Sequence, residues 1–230
     1  MQLQVLFEDN HLIAVNKLPG EIVQSDKTGD LPLSEKIKSY LREKYKKPGD
    51  AFLGVAHRID RPVSGAILFA KTSKSLARLN EIIRSREMKK TYWAVVKNKP
   101  QQSEGKLVHY LERNERMNKS FAFSDEKENR QRAELEYRLF VSTENYHVLE
   151  INLITGRHHQ IRCQLATIGC PIKGDLKYGA ERSNKHGSIH LHARKIEFIH
   201  PVKLNPVVIT AKTPNDPVWN AAMDVLKQNQ

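Results

Sequence analysis

A single carboxylate set between two guanidinium groups is the arrangement in this chain best suited to chemistry. It lies in the run His57-Arg58-Ile59-Asp60-Arg61-Pro62-Val63-Ser64-Gly65. The flanking residues, 52–56 and 66–70, are apolar and of strand length, so a buried strand is predicted on either side. A short neutral turn would be enough to join two such strands. Here, instead, Pro62 removes a backbone donor and drives Arg61 out of the α region, and Gly65 permits a tight re-entry. Two readings are open at this level. One is an Asp–Arg pair bracing a turn. The other is a carboxylate presented on a loop by rigid elements, where function often resides.

The surrounding pattern describes the elements that must hold this loop. Residues 5–7 and 12–16 predict a hairpin around Glu8-Asp9-Asn10. Ser34 is placed to cap a helix carrying Ile37, Tyr40 and Leu41 on one face. Thr72-Ser73 predicts the start of a second helix, with Leu76, Leu79, Ile82 and Ile83 as its core stripe. Strands are expected over 90–96, 107–111, 133–142, 146–154, 190–199 and 206–211. A helix after Gly156 carries Ile161, Leu165 and Ile168, and a closing helix over 216–226 turns Val218, Ala222 and Val225 inward. The expected fold class is α+β: a mixed, largely antiparallel central sheet flanked by helices, in one domain over residues 1–230.

Composition narrows the partners. The chain is 39% hydrophobic and 28% charged, with a net charge of +12, which reads as a globular protein attracted to polyanions, nucleic acid first among them. Lys74, Arg78, Arg84, Arg86, Lys89 and Lys90 form a dense basic cluster leading into Tyr92. Phosphate contact is the functional reading and a solvated helix face the bland one. Residues 112–132 turn charged and polar, with Phe121 and Phe123 inserted; they read as a long hairpin or loop able to fold over a nucleic acid. The two cysteines, Cys163 and Cys170, lack any paired pattern and are expected as free thiols in a reducing compartment. The opening residues alternate like a strand rather than a signal peptide, and no run of ~18 apolar residues is present to span a membrane. A cytoplasmic monomer is expected. His158-His159 and His190-Leu191-His192 raise a metal reading, but no H-E-x-x-H or paired-cysteine spacing supports one.

The string HRIDRPVSG resembles the HRLDxxTSG signature of the RluA-type pseudouridine synthases. Further segments resemble the same family in the same order: Leu12-Ile13-Ala14-Val15-Asn16-Lys17-Leu18-Pro19-Gly20, Lys90-Thr91-Tyr92-Trp93-Ala94-Val95-Val96, the run TGRHHQIRCQLATIGCPIKGDLKYG over 155–179, and HLHARKIEFIHP over 190–201. The matching region begins almost at Met1, so the resemblance leaves no room for the S4-type RNA-binding domain that often precedes it in the family.

The resemblance implies an RNA pseudouridine synthase acting on uridines of rRNA or tRNA, alone and without a cofactor, on a pseudouridine synthase-like fold with a central RNA-binding cleft. The reaction breaks the C1′–N1 bond and joins C1′ to C5 of the same base; nothing is oxidised or imported. It implies that Asp60 is the catalytic carboxylate, either as nucleophile at C1′ or as base at C2′. Arg162 matches the arginine paired with that aspartate, and a cation within ~4–6 Å lowers an Asp pKa by ~1–3 units. Tyr92 matches the active-site tyrosine, able to stack on uracil or to assist proton removal at C5. Leu191 would pack beside the base, and Arg58 would fill the gap left by a flipped nucleotide or pair with its orphaned neighbour. Arg61, Lys89, Lys90, Arg157, His158 and Gln160 are expected to contact RNA, with Thr155-Gly156 opening a helix toward phosphate. Val63, His158 and Cys170 depart from the family's usual Thr, Thr and His. A rival reading is a basic RNA-binding or ribosome-assembly module without turnover, which would need none of Asp60, Tyr92 and Arg162.

Overall fold

The computed structural model describes residues 3–26, 28–46 and 48–228. In chain order the strands and helices are β1 (Val5–Glu8), β2 (Leu12–Lys17), α1 (Leu33–Tyr45), β3 (Gly54–Val55), β4 (Ser64–Ala70), α2 (Ser73–Arg84), β5 (Lys89–Val96), β6 (Glu104–Asn114), β7 (Lys119–Phe123), β8 (Gln131–Ser142), β9 (His147–Leu153), α3 (Gln160–Thr167), β10 (Leu191–Ile199), β11 (Pro206–Thr210) and α4 (Pro217–Gln228). Two compact units are built from this chain, the first from residues 1–89 and 193–213, the second from 90–192 and 214–230. The α+β class and the mostly antiparallel pairing agree with the sequence reading.

In the first unit the strand order is β1-β2-β4-β10, with β3 added to β4 and β11 to β10. Strand β2 is an apolar run buried on both faces, and it runs antiparallel to β4 from Leu12↔Ala70 to Lys17↔Gly65. Gly65 has a φ of +116°, and a Cβ there would lie 2.3 Å from the Ala193 carbonyl oxygen. Only glycine allows β4 and β10 to approach so closely at this point. Helix α2 starts as its sequence predicts: Thr72 Oγ1 accepts the Ser75 amide. Its stripe of Leu76, Leu79, Ile82 and Ile83 packs on the core formed by Leu12, Leu68, Ile196 and Phe198.

Helix α1 differs from expectation at its start. Ser34 does not cap it; Pro32 is the N-cap residue and offers no side-chain bond. The first amides are met by main-chain carbonyls, Leu33 N–H to Ile22 O at 2.8 Å and Ser34 N–H to Val23 O at 3.2 Å, which satisfies the orphan donors without a polar side chain. The strand predicted over 52–56 shrinks to the two residues of β3.

The second unit has the order β5-β9-β8-β6-β7. Its strands β8 and β9 pair from Leu135↔Leu153 to Ser142↔His147. Of the two readings of the charged segment over 112–132, hairpin or loop, the structure shows the hairpin. Strand β6 continues to Asn114, turns, and pairs with β7 from Asn114↔Lys119 to Tyr110↔Phe123. Helix α4 buries Trp219 and Ala222 against Trp93, Val95, Val141 and Val148.

Candidate active site

Asp60 occupies the turn that leads from β3 into β4. The turn is closed by the Val63 amide, which donates to the Asp60 carbonyl at 3.0 Å. Its underside is held by Lys17, the last residue of β2, whose side chain is fully buried. Lys17 Nζ donates to the carbonyls of Leu18 (3.0 Å), Arg61 (3.0 Å) and Val63 (2.6 Å). A third element joins them, since Gly20 N–H also donates to the Arg61 carbonyl at 2.8 Å. Burial pulls the Lys17 pKa down to about 7, against the attraction of Glu21 and Asp60, which favour its charged form. Arg61 pairs with Asp30 at 2.6 Å. His57 accepts the Leu68 amide at 3.1 Å, tying the loop back onto β4, and Arg58 is exposed. The loop is therefore rigid behind Asp60 and open at Arg58.

Tyr92 lies in β5 opposite Ile151, 7% exposed. Arg162 projects from α3 and is 5% exposed. Its Nε and Nη2 donate to the two carboxylate oxygens of Asp175 at 2.6 and 2.8 Å, a bidentate fork that fixes the guanidinium plane. That plane lies 5.2 Å from the centre of the Tyr178 ring.

The TGRHHQ segment leading into α3 is braced from within. The Gln160 side chain is buried. Its Oε1 accepts from Thr155 Oγ1 (2.7 Å) and the Arg157 amide (3.0 Å), while its Nε2 donates to the Glu134 carbonyl at 2.9 Å. Arg157 is exposed and donates through Nε to the Arg132 carbonyl. Lys90 lies beside this segment, 3.5 Å from where a Gly156 Cβ would be, and burial lowers its pKa. Lys89 is exposed at the start of β5, and Leu191 is buried at the start of β10.

His158 and His159 stack at 3.8 Å. His158 meets Ser120 Oγ at 2.9 Å and Asn118 Oδ1 at 3.1 Å. His159 begins α3 with φ at +52° and meets the Tyr178 hydroxyl at 3.0 Å. Burial, Arg162, His158, Lys177 and Arg113 together push the His159 pKa down to about 2, so the ring is neutral within a cationic cluster. His190 is likewise engaged, by Asn184 and Asp216.

Two contributors escaped the sequence reading. Lys17 carried a signal: a lysine ending an apolar run in the inward phase of its strand. Asp175 carried none, because its pairing with Arg162 is a tertiary contact.

Residues 11–167 match the profile of RNA pseudouridylate synthase. The chain belongs to that family. It is an RNA pseudouridine synthase of the RluA type, and hence an isomerase. Among relatives of this family, an uncharacterized RNA pseudouridine synthase of Bacillus subtilis (strain 168) is 30% identical over 94% of this chain and 70% of its own length. The ribosomal large subunit pseudouridine synthase D of Xylella fastidiosa (strain Temecula1 / ATCC 700964) is 32% identical over 93% of this chain and 67% of its own. The tRNA pseudouridine synthase C of Vibrio cholerae serotype O1 is 28% identical over 96% and 94%. The fold matches that of human RNA pseudouridylate synthase domain containing 4, with a TM-score of 0.80 at 23% identity, covering 97% of this chain and 93% of that one. Among the described residues, no helix of this family member is long and apolar enough to cross a membrane.

Proposed function

We propose that this pseudouridine synthase isomerises specific uridines of ribosomal or transfer RNA, with Asp60 as its catalytic carboxylate. The observation that carries the assignment is the bracing of the Asp60 turn by Lys17, Gly20 and the Val63 amide, which presents one carboxylate in a defined position. Asp60 acts on the sugar, at C1′ or at C2′, and the C1′–N1 bond breaks. The base turns, C1′ bonds to C5, and the C5 proton leaves. Tyr92 stacks on the uracil and assists that last proton transfer. Arg162 takes, by its position in the family pattern, the role of the cation assigned to the catalytic carboxylate, and its fork on Asp175 fixes its guanidinium plane. Arg58 and Leu191 meet the flipped nucleotide and its vacated place, and Arg61, Lys89, Lys90, Arg157, His158 and Gln160 serve RNA binding, Gln160 from beneath its loop. Residues 1–230 work as one catalytic domain, as a monomer.

Tritium release from RNA labelled at uridine C5, prepared from cells lacking the protein, tests this directly. Wild type should release tritium and Asp60→Asn should not, while still binding the RNA. Separate ribosomal and transfer RNA fractions identify the substrate. Release by Asp60→Asn would remove Asp60 from its role. RNA binding without release by wild type would favour the non-catalytic binding module.

A further inference from the structure

The second unit has a feature that the isomerisation does not use. Between edge strand β7 and helix α3 lies a shallow recess of about 310 Å³. Its walls include Lys119, Phe121, Phe123, Cys163, Ala166 and Thr167, and among the described residues no carboxylate lines it. Phe121 is 37% exposed, which leaves part of its ring open to solvent at the recess. Glu112, its partner across the strand pair, is met by Arg130 at 3.4 Å. Arg130 in turn lies flat on Phe123, 3.6 Å from the ring centre.

Lys119 is the cation of the recess. Its Nζ lies 5.4 Å from the Phe121 ring and 5.1 Å from the Tyr178 ring. Among the described residues it makes no ion pair, whereas Lys106 and Arg132 on the neighbouring strands both meet Glu134. A cation held between two ring faces, without a carboxylate, is suited to an anionic visitor.

The main chain adds directed polar groups. Ser120 turns its backbone away from β6: its amide donates to the Tyr178 hydroxyl at 2.8 Å, and its carbonyl accepts from Cys163 Sγ at 3.2 Å. Antiparallel pairing alternates this direction residue by residue, so the Ala122 amide and carbonyl face the same way as those of Ser120. Among the described residues nothing meets them.

We propose that this recess is a second nucleotide-binding subsite for the RNA substrate: a base stacks on Phe121, Lys119 takes the adjoining phosphate, and the Ala122 main chain meets the base edge. The proposal rests on the part of the proposed function that has this chain bind RNA. Stacking on an exposed aromatic beside a cation is tolerant of base identity, so the subsite would add affinity and register rather than select the target uridine. An acidic peptide strand could in principle add to the same edge, but one unpaired cation beside an exposed ring suits a nucleotide better.

The test uses the full chain and total RNA labelled with tritium at uridine C5, with filter binding and tritium release measured side by side. Phe121→Ala should weaken RNA binding roughly 5- to 150-fold, the range for losing one base–aromatic stack. Phe121→Trp should restore binding, and Lys119→Gln should lower the log–log salt slope by about 1. If Phe121→Ala binds RNA like wild type, the subsite is overturned and the edge is left to a peptide, whatever the tritium assay reports. If wild type binds RNA but releases no tritium, while Phe121→Ala binds more weakly, the subsite stands and the catalytic reading falls. A wild type that binds no RNA overturns both.

Discussion

The most consequential single residue outside the HRIDRPVSG string is Lys17. A fully buried ammonium costs solvation, and here it is offset by three carbonyl acceptors, two of them in the turn that carries Asp60. Lys17→Met keeps much of the stem's volume but leaves the Leu18, Arg61 and Val63 carbonyls without that donor. The Asp60 turn should then loosen, and a displacement of ~1 Å at a reacting group can cost on the order of 10²-fold in rate. The expected outcome is a fall in kcat of that order at saturating RNA, with far-UV circular dichroism unchanged. A change confined to KM would show that Lys17 does not position the carboxylate. Much at this scale was legible beforehand. Asp60 stood out as one carboxylate between two guanidinium groups, with a braced turn and a functional loop both open until the family resemblance favoured the second. Thr72 stood out because a hydroxyl before an apolar-periodic stretch is a ready cap. Ser34 misled for a physical reason: the donors it was to cap were already met by Ile22 and Val23 carbonyls, which no local pattern shows.

Among the elements, the loop entering α3 combines a strained backbone with a neutral imidazole. His159 adopts a positive φ, and its ring is packed against Tyr178 among positive neighbours. Its pKa falls from 6.5 to about 2 on folding. Between those values the unfolded chain binds the extra proton and the folded chain does not, so stability rises with pH across that window and is lost as pH drops below 6.5. Unfolding free energies from urea titrations between pH 7 and pH 5 should fall for wild type by up to about 1.4 kcal/mol per pH unit from this group. His159→Asn, whose side chain also tolerates a positive φ, should flatten that slope by about one proton; an unchanged slope would assign the acid sensitivity elsewhere. The strands β8, β9 and β10 were readable because each is rich in β-branched, aromatic and leucine residues, several of them buried. The β6–β7 hairpin was one of two readings of residues 112–132, and the sequence left hairpin and loop undecided because an edge strand with few buried positions lacks the apolar period that marks a strand.

At the scale of the whole molecule, the first unit is assembled from two stretches of chain that are far apart. Strand β4 takes β10 as a neighbour, with Gly65 packed directly on Ala193, yet residues 90–192 lie between them in the sequence and belong to the other unit. During synthesis at ~5–20 residues per second, that intervening segment takes roughly 5–20 s to emerge. The early strands of the first unit should therefore wait on the ribosome, their outer edge uncovered, while the second unit has already begun to form. A chain ending at His192 imitates that moment. In hydrogen exchange, the β4 amides should be protected in the full chain and exchange faster in the truncated one, whereas protection where β6 pairs with residues 131–138 of β8, away from the residues α4 covers, should persist; equal protection of β4 in both chains would mean that its sheet closes without β10. A nascent strand waiting in this way is also open to wrong pairing, so the enzyme's yield in a cell should depend on how fast the codons up to and through residues 193–213 are read.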